Sequence, residues 1–122
     1  MAKKILIVDD EQSIAEMLEM RLEAMGYETD MAHDGEEALK KVKEFKPELI
    51  ILDIMMPKVD GLEVCRILKG SPETQDIKVM MVTALGRADD KQRGAEVKAD
   101  LYMTKPFDSV ELMDKVQELL GD

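Results

Sequence analysis

Hydrophobic residues follow two rhythms along this chain. Continuous apolar runs at residues 5–8, 49–52 and 79–82 show no alternation with polar positions, the pattern of parallel strands covered on both faces. Shorter candidates at residues 28–32 and 101–104 complete an expected set of five strands. Between the strands, apolar positions recur every three or four residues. Ile14, Leu18, Leu22 and Met25 form one helical stripe, with Ser13 and Glu16 spaced as a capping box and Gly26 placed to end it. A second helix starts near Asp34, with Glu37 three residues on, shows Ala38, Leu39, Val42 and Phe45, and closes at Pro47.

Leu62, Val64, Cys65, Ile67 and Leu68 predict a third helix, ending near Gly70-Ser71-Pro72. Asp108 and Glu111 cap the last, whose face contains Leu112, Met113, Val116, Leu119 and Leu120. A fourth, around residues 88–98, has a thin apolar face interrupted by Gly94, so it is the element expected to move or to meet a partner. Strand and helix thus alternate five times, and right-handed crossovers place helices on both faces of one parallel sheet.

Composition narrows the class. A length of 122 residues fits one domain. With 45% hydrophobic and 36% charged residues, the chain has enough apolar surface for a globular core. A net charge of -10 argues against binding to nucleic-acid backbones, which draws on a basic surface. Cys65 is alone, which excludes an internal disulfide and suits a small buried hydrophobe. Only four apolar residues follow Lys3-Lys4, too few for a signal peptide or a membrane span, so the cytoplasm is the expected compartment.

The candidate chemistry lies at strand ends. Asp9, Asp10 and Glu11 follow the first apolar run, Asp53 the second long one, and Thr83 and Lys105 the fourth and fifth strands. Open α/β sheets bind ligands beyond the carboxyl ends of their strands. Carboxylates bunched there repel one another, and a hard cation such as Mg²⁺, which also reaches phosphate oxygens, relieves that repulsion. One histidine and one cysteine cannot build a typical zinc centre. Each residue has a plainer reading in isolation: helix caps for Asp9 and Asp10, a turn before Pro57 for Asp53, a loop cap for Thr83, a surface lysine for Lys105. Their convergence at one sheet edge is what favours a pocket.

These residues sit in four motifs: Val8-Asp9-Asp10-Glu11, Leu52-Asp53-Ile54-Met55-Met56-Pro57 with Asp60-Gly61, Val82-Thr83-Ala84, and Lys105-Pro106-Phe107. In that order and spacing they resemble the receiver domain of two-component response regulators, the CheY-like superfamily, with residues 1–122 as a single receiver. The resemblance implies a doubly wound, flavodoxin-like sheet of order 2-1-3-4-5 with five helices. It also implies that Asp53 takes a phosphoryl group from a sensor histidine kinase or a histidine phosphotransfer protein. The reaction would be Mg²⁺-dependent and self-catalysed, with slow dephosphorylation. Asp10 and Asp53 would hold the ion with the backbone carbonyl of Met55, and Asp9 would act chiefly through a bound water. Lys105 would pair first with the acids and then with the phosphoryl group, to which Thr83 would donate its hydroxyl.

The same resemblance assigns switching to Thr83 and Tyr102, expects a cis Lys105-Pro106 bond, and docks the kinase over Gln12, Ile14, Ala15 and Met17 with Pro106 and Phe107 opposite. Output to a downstream effector protein or domain would leave through the fourth helix, fifth strand and last helix, near Arg87, Asp89, Asp90, Lys91, Gln92 and Arg93. In many relatives that face dimerises on phosphorylation; the pattern of signs here does not settle self-complementarity. Met55 and Leu85, both apolar, flank the site where hydrolysis would be tuned, and small Ala84 leaves a route for phosphodonors. The alternative is a degenerate receiver acting as a non-phosphorylated protein-binding module. A phosphohydrolase is a poorer match, because Asp9 and Asp10 are adjacent. The end at Gly121-Asp122 fits either a complete phosphate shuttle or a receiver cut from a longer regulator, and no helix-turn-helix is present to assign DNA binding.

Overall fold

The computed structural model describes residues 2–54, 60–84 and 98–122. Its elements run β1 (Lys4–Val8), α1 (Gln12–Ala24), β2 (Glu28–Ala32), α2 (Gly35–Phe45), β3 (Leu49–Asp53), α3 (Gly61–Lys69), β4 (Lys78–Ala84), β5 (Leu101–Lys105) and α4 (Ser109–Leu120). All strand pairs are parallel, in the order β2-β1-β3-β4-β5. The described residues contain four helices; the expected one around residues 88–98, with Leu85, Arg87, Asp89, Asp90, Lys91, Gln92 and Arg93, lies outside them.

The unbroken apolar runs follow from how the strands are covered. Successive side chains point to opposite faces. Leu6, Val8, Ile50, Leu52, Val79 and Met81 pack against α2 and α3 through residues such as Val42, Cys65 and Leu68. Their neighbours Ile5, Ile7, Leu49, Ile51, Met80 and Val82 pack against α1 and α4 through Leu18, Leu22, Leu112 and Val116. Each such side chain, when fully buried, contributes about 1.5–3 kcal/mol. Polar positions would leave a face unpacked, so none interrupts the runs.

Capping matches the sequence reading except at α1. The Asp34 carboxylate accepts from the Glu37 amide at 2.9 Å, and the Glu37 carboxylate reaches back to the His33 amide at 2.7 Å. Asp108 accepts from the Val110 and Glu111 amides. Gly26, with φ of 93°, follows the C-cap of α1, and Lys46, with φ of 55°, ends α2 before Pro47. The Ser13–Glu16 box does not form. The first turn begins earlier, because the Glu11 carbonyl already accepts from Ile14 and Ala15, and Glu11 occupies the N-cap without a side-chain bond.

Cys65 is fully buried, and burial pushes its thiol up to about 11, with the charge of nearby Lys69 opposing only in part. The thiolate is the reactive form. Iodoacetamide at pH 8 is therefore expected to leave the native protein unmodified over a period that labels Cys65 fully in guanidinium chloride, read by intact mass. Among the described residues no helix is long and apolar enough to cross a membrane.

Candidate functional site

Parallel register delivers the strand ends to one edge. Val8 lies beside Ala32 and Leu52, Asp53 beside Val82, and Ala84 beside Lys105. The Asp9 amide extends β1 by one further bond, donating to the Ala32 carbonyl at 3.1 Å. Asp9 and Asp53 are thereby carried into the sheet edge and are buried, at 4% and 5% exposure, whereas Asp10 stays exposed to solvent. One carboxylate oxygen from each of Asp9, Asp10 and Asp53 lies within 4.8 Å of the others.

Among the described residues, Lys105 is the cation that contacts this cluster. Its Nζ donates to Asp9 Oδ2 at 3.0 Å, to Asp53 Oδ2 at 3.3 Å and to Glu11 Oε1 at 3.4 Å. Burial of the ammonium works against its charge, but the hydrogen bond to Asp9 and the charges of Asp53 and Asp9 outweigh it, so its pKa stands above the ordinary lysine value. Asp9 is held at both oxygens, since its Oδ1 accepts from the Glu11 amide at 2.9 Å. Three carboxylates on one ammonium, with Asp10 beside two of them, leave a strongly negative pocket, and an all-oxygen donor set of this kind suits Mg²⁺.

A close backbone approach completes the site. The Gly61 amide donates to the Ile54 carbonyl at 3.1 Å, and Asp60 caps α3 by accepting from the Glu63 amide at 2.9 Å. A Cβ built on Gly61 would stand 2.2 Å from the carbonyl oxygen of Asp53. Only glycine at this position lets α3 start directly behind the buried aspartate. Its role is missed by pattern reading, although the Asp-Gly pair after Pro57 is the available signal. Glu11 is likewise visible in the sequence as a carboxylate, but not as a partner of Lys105.

The other expected residues divide. Thr83 occupies β4 opposite Thr104, but its side chain, like Met55, lies outside the description. Tyr102, in β5, is partly buried against the α2–α3 core, and the Lys105-Pro106 bond is cis. Gln12 and Pro106 are exposed, and Ile14, Met17 and Phe107 are partly exposed. Ala15 corrects the expected docking surface: it has no exposed area, because its position on α1 turns it into the core beside Leu18.

Residues 5–117 match the family described as response regulator receiver domain. The chain is 48% identical, over 98% of its length, to the alkaline phosphatase synthesis transcriptional regulatory protein PhoP of Bacillus subtilis (strain 168), of which it covers 49%. It is 44% identical, over 96% of its length, to the DNA-binding dual master transcriptional regulator RpaA of Synechocystis sp. (strain ATCC 27184 / PCC 6803 / Kazusa), of which it covers 48%. The chain thus spans about half the length of the curated relatives it matches. A putative response regulator from Chloroflexus aurantiacus superposes with a TM-score of 0.94 at 37% identity, covering 100% of both chains. The signal receiver domain of a Syntrophus aciditrophicus signal transduction histidine kinase gives 0.92 at 41% identity, covering 98% of this chain and 91% of that one. With its sheet order, its clustered aspartates and these relatives in agreement, the chain belongs to the response regulator receiver domain family.

Proposed function

We propose that the chain, as one receiver unit over residues 1–122, accepts a phosphoryl group on Asp53 from the phosphohistidine of a sensor histidine kinase or phosphotransfer protein. The observation that carries this reading is the placement of Asp53: a buried carboxylate within ion-sharing distance of Asp9 and Asp10 and in contact with Lys105. Asp10 and Asp53, with the Met55 carbonyl, are the groups that would hold Mg²⁺, and Asp9 would orient its water. The ion, when bound, offsets the repulsion between carboxylate and phosphoryl oxygens.

The remaining work falls to this chain. An Asp53 carboxylate oxygen attacks phosphorus as the phosphorus–nitrogen bond to the donor histidine breaks, and the imidazole leaves with the bonding electron pair. Lys105 transfers its hydrogen bonds from the acids to the new phosphoryl oxygens, and Thr83 supplies a hydroxyl from the neighbouring strand end. Added charge of about -1.5 to -2 then biases Thr83 and Tyr102 toward a second arrangement that an effector reads. Stoichiometric labelling by acetyl phosphate with Mg²⁺, seen by intact mass, is the test. Failure to label and to bind Mg²⁺ would favour a degenerate protein-binding receiver, and steady release of phosphate from phosphomonoesters would favour a hydrolase.

Persistence of the phosphorylated state follows from two side chains. Met55 and Leu85 lack groups able to orient an attacking water. The isolated phosphoprotein is expected to decay with a half-life of minutes or longer; decay within a few seconds by mass or radiolabel loss would contradict this.

A further inference from the structure

A groove of about 510 Å³ lies away from the carboxylate site, between the end of α2 and the connection from α3 to β4. Val42 and Pro47, both buried, contribute from the α2 side, with Lys43 and Lys46 beside them. Glu73, Thr74 and Ile77 line the other side. Residues 46–48 and 77 lead into the amino ends of β3 and β4. Asp53 ends β3 at the other extremity, so the groove and the phosphoacceptor occupy opposite ends of the sheet.

The walls are built. Thr74 Oγ1 donates to the Leu68 carbonyl at 2.7 Å, and the Ile77 amide to the Thr74 carbonyl at 3.0 Å. Lys69 reaches across to the Gln75 and Ile77 carbonyls and to Asp100 at 2.8 Å, pinning that wall to the start of β5. On the facing wall the left-handed turn at Lys46 is closed by its backbone N–H donating to the Val42 carbonyl at 3.0 Å. An occupant would not have to order either wall, which lowers the cost of binding.

Charge selects the occupant. On a chain of net charge -10, Lys43 and Lys46 are exposed and, like Lys40 and Lys78, form no ion pair among the described residues, but at the groove these two stand together against one lining carboxylate, Glu73. Attraction to the carbonyl end of α2 accounts for lysines there, but not for the apolar concavity between them and Ile77. Glu73 on the far rim disfavours a uniformly acidic tract. We infer that this groove is a docking site for a partner protein's acidic peptide segment, its carboxylates facing Lys43 and Lys46 and one aliphatic or aromatic anchor seated over Val42, Pro47 and Ile77. Such a partner engages the receiver without covering Asp53.

The test uses the full chain, ¹⁵N-labelled, titrated with synthetic twelve-residue peptides in which a central leucine is flanked on one side by glutamates. Matched peptides carry lysine for glutamate or alanine for leucine. The acidic leucine peptide is expected to shift the amides of Val42, Lys43, Thr74 and Ile77, to weaken with added salt, and to lose about tenfold in affinity in the double variant Lys43→Glu/Lys46→Glu. Both substitutions lie on exposed positions, and melting with acetyl phosphate labelling serves as the control that fold and Asp53 chemistry persist. Equal binding by the lysine peptides, or shifts unchanged in the double variant, would overturn the inference. So would the absence of any shift at millimolar peptide. Concentration-dependent shifts of the same amides without peptide, with elution at dimer volume, would assign the groove to a second copy and overturn the peptide reading.

Discussion

Replacing Asp53 with asparagine is expected to abolish the mass gain from acetyl phosphate and Mg²⁺ while leaving the domain folded. The amide has nearly the shape of the carboxylate and retains an oxygen for Lys105, but it lacks the anionic nucleophile. The fold tolerates the change because the substitution removes one charge from a cluster in which Asp9, Asp10 and Asp53 crowd within 4.8 Å. Relief of like-charge repulsion offsets the weakened contact to Lys105. Without Mg²⁺ the variant is expected to melt at or above the wild-type temperature. Stability at a functional site is commonly sacrificed to chemistry in this way.

Mg²⁺ separates the two proteins further. A cation at one hundred times its Kd stabilises the native state by about 2.7 kcal/mol. The wild type should show this shift in urea denaturation, and Asp53→Asn only a small part of it. Phosphoryl incorporation that persists in the variant would place the acceptor elsewhere. A variant that melts well below wild type would make Asp53 a structural residue first.

Gly61→Ala is expected to damage both stability and labelling, although it adds one methyl group. The new Cβ would meet the Asp53 carbonyl oxygen at 2.2 Å, and the Asp53 carbonyl carbon and Ile54 Cα at 2.9 Å. These are backbone atoms of the strand end that carries Asp53, so no side-chain rotation relieves the contact. Overpacking costs about 1–3 kcal/mol where neighbours can shift, and more where they cannot. A loss of about 3 kcal/mol or more is expected in urea, at unchanged m value, together with slower acetyl phosphate labelling. Gly26→Ala is the control: its φ of 93° makes alanine strained, but nothing lies within 4 Å. It should cost about 1–2 kcal/mol through the backbone alone and leave labelling unchanged. Equal effects at the two glycines would remove the steric explanation.

Much of this molecule is legible before folding, and the reason is local. Residues 49–52 announce a doubly covered strand because both faces must be apolar, and Asp34 with Glu37 announces a helix start because their side chains satisfy amides three or four residues away. The α1 start misleads for the same reason in reverse. Ser13 and Glu16 have the right spacing, yet the turn had already begun at Glu11, where the backbone leaves β1 with Asp9 accepting from the Glu11 amide. Ala15 misleads because motif correspondence names positions without saying which way they face.

What the sequence determined by itself is the alternation of strand and helix, the acids at strand ends, and the four motifs that carry the family resemblance. Those depend on periodicity, capping and spacing along the chain. Tertiary structure alone decided that Lys105 contacts Asp9, Asp53 and Glu11 across 94 to 96 and 52 residues of sequence, that Gly61 must lack a side chain behind Asp53, and that a lysine-rimmed groove forms at the opposite end of the sheet. Each is a meeting of segments distant in sequence. Strand register sets those distances, and no local pattern encodes them.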